Sequence, residues 1–338
     1  MLQTTDYPGA IAELRRAQSV AITTHTKPDG DALGSIAALR RWLMLQGKSV
    51  MVVVPTPPPP KYGFLDPDGA VKTAGRDVDV AGIPKPDLVC VLDTCTWLQL
   101  ETVKALVADS GAPVLVIDHH RTRDDLADFL LSDPRAAATT VLMYRLFRAA
   151  KANIDVEMAT GLFVGLALDT DWFRLPNVDG EVMHLAGALV EAGAKPHEIH
   201  DLLYQNDDLT KVLLRARAIE TMHAALDGRA MVMHLTQAMF REIGADIGDT
   251  ENLINECMKV RGAQVGLMLV ETEGDEIRVS LRSRPPVDIL RVAEKFGGGG
   301  HHRAAGARAR GAIDQIEAAI LPHVAESLAI ADAGPPDA

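Results

Sequence analysis

Cysteine is scarce in this chain. There are three, Cys90, Cys95 and Cys257, an odd number without metal-ribbon spacing, which argues against a disulfide framework and suits a reducing compartment. Buried free thiols are the expectation. Long apolar runs are missing too. No stretch approaches the roughly 18 residues that span a bilayer, and no basic region followed by an apolar signal core stands at the N-terminus. These absences predict a cytoplasmic protein without membrane association. Positive charge is outnumbered, with 34 Lys and Arg against 46 Asp and Glu for a net charge of −12. That balance argues against long duplex nucleic acid as a partner, because such binding calls for a basic face that displaces counterions. A small anionic substrate in a local pocket stays open. Internal repeats are absent as well. What remains is ample for folding: 47% of 338 residues are hydrophobic, enough for two domains and against general disorder.

The first part alternates strand-like and helix-like segments. Apolar runs at 20–24, 49–54, 88–92 and 113–117 are interleaved with helical patterns at 31–46 and 99–109, the texture of a parallel α/β sheet. Helical patterns follow at 139–151, 156–168, 180–193 and 209–226, with Gly193 as a C-cap and Pro196 restarting the chain. Pro55 to Pro60 holds five prolines and predicts a stiff extended loop. From Arg229 the texture changes to strand candidates at 230–234, 264–270 and 277–281 and then a glycine run, a second and smaller α/β domain. Stripes such as Met183, Leu185, Leu189 and Leu202 read as core. His184, His197, His200, His223, His234 and His323 belong to no ligand-spaced cluster and read as ordinary histidines.

Acidic and histidine groups stand where apolar segments run out. His25, Asp29 and Asp31 follow the first strand candidate, with Gly30 allowing a tight backbone. Asp93 follows the run 88–92, Asp118, His119 and His120 end the run 113–117, and Asp169 with Asp171 ends the apolar helix 161–168. A single Asp at such a place is more often a helix cap, but four such groups are hard to attribute to capping alone. Open α/β sheets bind ligands at these ends. Several Asp and a few His suit Mn²⁺ better than a thiolate site would. The set therefore points to metal-assisted hydrolysis.

With these motifs in place, the chain resembles the DHH/DHHA1 phosphoesterase family, and within it the bacterial nanoRNase and 3′-phosphoadenosine 5′-phosphate phosphatase branch. His25-Thr-Lys-Pro-Asp-Gly-Asp31 is similar to the first motif of that family, Asp93 to the second, Asp118-His119-His120 to the third and Asp169-Thr170 to the fourth. Gly297-Gly-Gly-Gly-His301 is similar to the signature of the second domain. The resemblance implies an N-terminal parallel-sheet DHH domain over 1–194, a helical linker over 195–227, a smaller α/β DHHA1 domain over 228–330 and a disordered tail over 331–338. It implies an active site in the cleft between the two domains. Carried over by position, it implies two divalent ions, most naturally Mn²⁺, one held by His25, Asp29 and Asp93 and the other by Asp31, Asp93, His119 and Asp169, with Asp93 as the bridge. Asp171 departs from the pattern, since glycine is usual there.

Between 278 and 310 the charge reverses, with eight Arg or Lys against Asp288 and Glu294, so this segment should attract phosphates. Arg282 suits bidentate contact with a terminal phosphate. Gly298, Gly299 and Gly300 read as a phosphate nest and His301 as its neighbour. Trp172 reads as core more readily than as a stacking platform.

The expected mechanism is in-line hydrolysis with two metals roughly 3.5–4 Å apart lowering the pKa of the attacking water. It needs no covalent intermediate. Asp93 acts at the centre, and His120 steadies charge on the phosphoryl oxygens and touches the substrate. The resemblance implies short oligoribonucleotides as substrates, cut to mononucleotides, and 3′-phosphoadenosine 5′-phosphate, with a second copy of the chain admitted as a partner. Two other readings are a phosphodiesterase for cyclic or linear di-adenosine nucleotides and an inactive nucleotide sensor. Inorganic pyrophosphatase is a poorer fit, because it would not be expected to carry the glycine-histidine domain.

Overall fold

In the computed structural model, which describes residues 6–334, the apolar runs of the first half become adjacent parallel strands. They are β1 (Ser19–Thr23), β2 (Ser49–Val54), β3 (Val71–Thr73), β4 (Leu88–Leu92), β5 (Val114–Asp118) and β6 (Phe129–Ser132). Their order across the sheet is β3-β2-β1-β4-β5-β6, every pair parallel. This is the doubly wound order, in which the chain reverses direction across the sheet between the first and fourth strands and leaves a crevice at their carboxyl ends. Strands buried on both faces read as continuous hydrophobic runs, as β4 and β5 do.

The helices of this unit are α1 (Tyr7–Arg16), α2 (Gly30–Leu45), α3 (Lys104–Ala108), α4 (Thr139–Ala149), α5 (Val156–Asp169), α6 (Gly180–Glu191) and α7 (Pro196–Tyr204). One sheet face, through Ile22, Val52, Cys90 and Ile117, shares a core with α1, α2, α4, α5 and α6. The other, through Ala21, Val89 and Val116, packs with Leu100 and Leu106. Helices α2 and α5 meet backbone to backbone. A Cβ on Gly34 would lie 2.1 Å from the Gly161 carbonyl oxygen, and one on Gly165 would lie 2.5 Å from Asp31 Oδ1. Only hydrogen fits at these positions. The five-proline run passes into a 3-10 turn at Pro60–Leu65, and the expected helix at 99–109 is a 3-10 stretch, Trp97–Val103, continued by α3.

A second compact unit starts at Asp207, the first ending at Asn206. The segment 195–227 therefore supplies α7 to the first unit and α8 (Leu209–Glu220) to the second. Further elements here are β7 (His223–Ala225), β8 (Ala230–Leu235), α9 (Gln237–Ile243), β9 (Val265–Glu271), β10 (Glu276–Ser283), α10 (Leu290–Lys295), β11 (Gly299–His301), β12 (Ala304–Arg310) and α11 (Ile313–Ala333). The sheet runs β11-β12-β10-β9-β8-β7, with β8 and β9 parallel and the other pairs antiparallel. One face packs on α10 and α11, the other on α8 and α9.

Three readings are corrected. Met183 and Leu202, read as core, are exposed. The helical pattern 209–226 stops at Glu220 and its last residues form β7. Residues 331–333, expected in a disordered tail, are the end of α11; 335–338 lie outside the described residues. Short strands β3, β6, β11 and β12 escaped sequence reading. The three cysteines are buried and free, and burial raises their thiol pKa values. No helix among the described residues is long and apolar enough to cross a membrane.

The glycine contact between α2 and α5 generates a prediction. Gly34→Ala should destabilise the protein by about 1–3 kcal/mol through overpacking, read from denaturant unfolding followed by circular dichroism. A change under about 0.5 kcal/mol, the level of an ordinary surface substitution, would mean that the two helices do not meet this closely.

Candidate metal centre

Strand ends deliver the side chains. His25 lies two residues past β1, Asp93 directly past β4, and Asp118 is the last residue of β5 with His119 and His120 behind it. Since β1, β4 and β5 are neighbours, residues far apart in sequence arrive at one edge, at the switch point of the sheet. Thr24 Oγ1 donates to the Leu92 carbonyl at 2.7 Å and the Asp93 amide to the Ile117 carbonyl at 2.9 Å, tying the three ends together. Asp29 caps α2, accepting from the amides of Asp31 and Ala32, and Asp31 is in its first turn. Asp169 is the last residue of α5.

Three overlapping groups of possible ligand atoms result, each within 4.8 Å: His25, Asp29 and Asp93; Asp31, His119 and Asp169; Asp93, His119 and His120. His25 Nε2 is 3.4 Å from Asp93 Oδ2 and His119 Nε2 is 3.2 Å from Asp169 Oδ2. The tautomers are set from behind. His25 Nδ1 faces the Thr26 carbonyl at 2.8 Å and His119 Nδ1 the Ala136 carbonyl at 3.2 Å. A carbonyl only accepts, so Nδ1 must carry hydrogen and Nε2 is the nitrogen left to ligate, the usual support of a metal-bound histidine.

Two threonines absent from the sequence reading hold the carboxylates. Asp31, fully buried, accepts from the amides of Thr139 and Thr140 at the start of α4 at 2.5 and 2.9 Å, where the helix end favours negative charge. Thr139 Oγ1 donates to Asp93 Oδ1 at 2.7 Å. Asp118, also outside the expected ligand set, accepts from His120 Nδ1 at 2.8 Å and so orients that half-exposed ring, which lies 3.7 Å from Asp93 Oδ1.

Electrostatically the cluster is short of positive charge. Burial, with the neighbouring Asp93 charge added, raises the carboxyls of Asp29, Asp31 and Asp169 above their usual range. Burial pushes Asp93 the same way, but the rings of His25, His119 and His120 hold it low. For His25 burial works against protonation, yet Asp93, the Thr26 carbonyl and Asp29 outweigh it and lift the ring to about 9. His119 is lifted to about 10 against burial by Asp169, Asp31 and Asp93. The hydrogen bond that His120 donates to Asp118 raises its ring. Carboxylates this crowded, with imidazoles whose free nitrogens face them, suit a divalent cation in place of the protons.

Asp171 has φ +48°, and Trp172 and Phe173 follow at +55° and +63°. The backbone here is left-handed, a conformation that favours glycine; Asp is among the few other residues that tolerate it. Its carboxylate pairs with exposed Arg174. Trp172 packs against Phe163, His200 and Tyr204.

The remaining expected site residues belong to the second unit. Arg282 lies on β10 and His301 on β11, both on one sheet face, since each is paired with Ala304. The glycine run is less a loop than a strand. Gly299 and Gly300 belong to β11, and the Gly298 amide donates to the Ala293 carbonyl. Cβ atoms on Gly298 and Gly300 would meet the carbonyl oxygens of Gly306 and Ala304 at 2.1 and 2.5 Å. Glycine is needed there for close backbone packing.

Residues 19–166 match the DHH family N-terminal domain, and residues 230–326 match the DHHA1 domain. A bifunctional oligoribonuclease and PAP phosphatase NrnA of Thermus thermophilus is 30% identical over 94% of this chain and 93% of its own. A Bacillus subtilis protein of the same name is 26% identical over 86% of this chain and 88% of its own. Among solved structures, an exopolyphosphatase-related protein from Bacteroides fragilis shares the fold with a TM-score of 0.87 at 24% identity, over 95% of this chain and 97% of that one. Two domain matches in series, and a relative of this identity along almost the whole length, establish that the chain belongs to the DHH family and carries a DHHA1 domain.

Proposed function

We propose that this protein is a phosphoesterase that hydrolyses short oligoribonucleotides to mononucleotides and also converts 3′-phosphoadenosine 5′-phosphate to AMP. The observation that carries the reading is the cluster at the ends of β1, β4 and β5: carboxylates crowded beyond what their protons relieve, facing imidazole nitrogens whose partners lie behind them. His25, Asp29 and Asp93 would hold one divalent ion, and Asp31, Asp93, His119 and Asp169 a second, with Asp93 shared. Oxygen-rich sites with added imidazole favour Mn²⁺. Bound there, the ions supply Lewis acidity, which lowers the pKa of water and offsets charge on phosphoryl oxygens.

The remaining chemistry belongs to the chain. Asp118 accepts from His120 Nδ1 and so favours the protonated ring, whose Nε2–H would donate to a phosphoryl oxygen as charge grows on it. Thr139 and Thr140 fix Asp93 and Asp31 before substrate arrives, so no reorganisation is needed at the moment of reaction. In the second domain, Arg282, Gly298–Gly300 and His301 would hold the rest of the substrate. Stripped protein resupplied with Mn²⁺ should release mononucleotide from 5′-phosphorylated di- to pentaribonucleotides. Activity confined to cyclic or linear di-adenosine nucleotides would move it to a signalling role, and none on any of these to a sensor.

Two outcomes follow from the proposed ligands. Asp93→Asn should lower turnover by at least roughly 100-fold, the upper range for loss of a mere supporting residue, while circular dichroism of the metal-free protein still reports the native fold; preserved turnover would refute a shared ligand. The second concerns pH. The His25 and His119 values are raised, so in metal-free protein their protonated rings stabilise the fold fully below about 6.5, and this contribution is lost as pH rises through about 9 and 10. A cation must displace those protons. Calorimetry in buffers of different ionisation enthalpy should therefore show proton release on Mn²⁺ binding near neutral pH, with affinity rising by up to roughly tenfold per pH unit for each proton displaced. Binding without proton release and with no pH dependence would exclude both histidines as ligands.

A further inference from the structure

Two histidines that belong to no spaced motif stand on one face of the second sheet. Pairing sets His223 of β7 opposite Val232 of β8, and His234 is two residues further along β8. Directly paired residues share a face, as do alternate residues of one strand. Both histidines therefore lie on the side where Val232 packs with Ile313 and Ile316 of α11. On that helix Asp314, Glu317, Ala318 and Leu321 have the spacing of a single face. These four and the two histidines line a cavity of about 360 Å³.

Thr221 holds both histidines. Its carbonyl faces His223 Nδ1 at 3.2 Å, and its hydroxyl accepts from the His234 amide at 2.9 Å. A carbonyl only accepts, so His223 Nδ1 carries hydrogen, and Nε2 faces Glu317 Oε1 at 2.8 Å. His25 and His119 are set in the same way, with a carbonyl behind the ring and a carboxylate in front. Burial works against a proton on His223, yet Glu317 and the Thr221 carbonyl outweigh it and raise the ring. The ring of His234, half-buried, keeps its Nδ1 buried without a hydrogen-bond partner. A buried polar atom left unpaired costs free energy and marks a place where an ion belongs. Asp314 is exposed and pairs with no cation among the described residues.

We propose that His223, His234 and Glu317 form a further metal site, which takes a Zn²⁺ ion and so ties the short edge strand β7 to β8 and α11. The inference does not rest on the phosphoesterase reading. His223 and Glu317 are in place as they stand, and His234 closes on them by turning about its side-chain bonds. Asp314, three residues before Glu317 on the same helix face, is at hand as a fourth ligand. Two imidazoles with carboxylates make a donor set that Zn²⁺ accepts in four-coordinate geometry. Mg²⁺ and Ca²⁺ would ask for more oxygens. The ligands come from residues far apart in sequence, and a metal clip that closes so long a loop has the most to contribute.

The test is metal content. Stripped full-length protein is dialysed against a series of buffered free Zn²⁺ concentrations, and bound zinc is counted by inductively coupled plasma mass spectrometry. Wild type is compared with His223→Gln, His234→Gln and Glu317→Gln, each checked for native fold by circular dichroism. Wild type should hold one Zn²⁺ more per chain than each variant. Zn²⁺ also enters the centre built on Asp93, but the variants leave that centre intact, so the difference isolates the new site. Loss of a ligand should weaken the extra ion by more than the roughly 10–100-fold that a supporting residue contributes. Should His234→Gln fail to fold, His223→Gln, at an exposed position, and Glu317→Gln decide. Equal zinc content in wild type and the variants overturns the site. A loss in His223→Gln and Glu317→Gln that folded His234→Gln does not share overturns the three-residue ligand set.

Discussion

Four carboxylates, Asp29, Asp31, Asp93 and Asp169, repel one another in a small space, with Asp31 and Asp93 shielded from water, and the architecture of the first unit is the answer to that repulsion. The start of α4 meets Asp31 with two amides, Thr139 meets Asp93 with a hydroxyl, and the rings of His25, His119 and His120 supply what positive charge the protein has there. Two of the four carboxylates come together through the contact of α2 with α5. Those helices carry Asp31 and Asp169, and they approach closely only because Gly34, Gly161 and Gly165 have no side chains. A packing constraint between the two helices thus bears on how far apart these two charges lie.

Much of this was legible in sequence because each charged residue terminates an apolar segment. His25, Asp93 and Asp118 follow β-branched runs whose burial could be read directly, and Asp29 before a helical pattern reads as a cap whatever else it does. The strand order was not legible, since parallel strands joined by crossovers leave no local record of which neighbour they pair with. Thr139 and Thr140 were missed for a related reason. A threonine pair opening a helix looks like ordinary terminal chemistry, and its partners lie over a hundred residues away for Asp31 and nearly fifty for Asp93. Asp171 shows the reverse case. The sequence marked it as a departure from family pattern, and only the left-handed backbone explains why that position is restrictive.

The second unit was harder to read because its strands lack the usual composition. β12 is built of alanine, glycine and arginine, residues with little strand preference, and it owes its pairing to neighbours on both sides. The glycine run has a helix-terminal amide bond at one end and an edge strand at the other, so its glycines serve close backbone packing as well as any ligand. Charge on this sheet is arranged by register more than by sequence position: residues 278 and 308 become neighbours through a single antiparallel pairing.

The position of Asp169 bears on how the protein is made. The cluster draws on residues 25, 29, 31, 93, 119 and 169, and the last of these is midway along a 338-residue chain. Domains emerging from the ribosome fold N-terminal part first. The earlier side chains must therefore wait, with their charges exposed to water, until α5 has been synthesised and has docked on α2. The acidic edge of the sheet is closed only once α5 has docked on α2, so the last ligand to be made is also the one that completes the charge cluster.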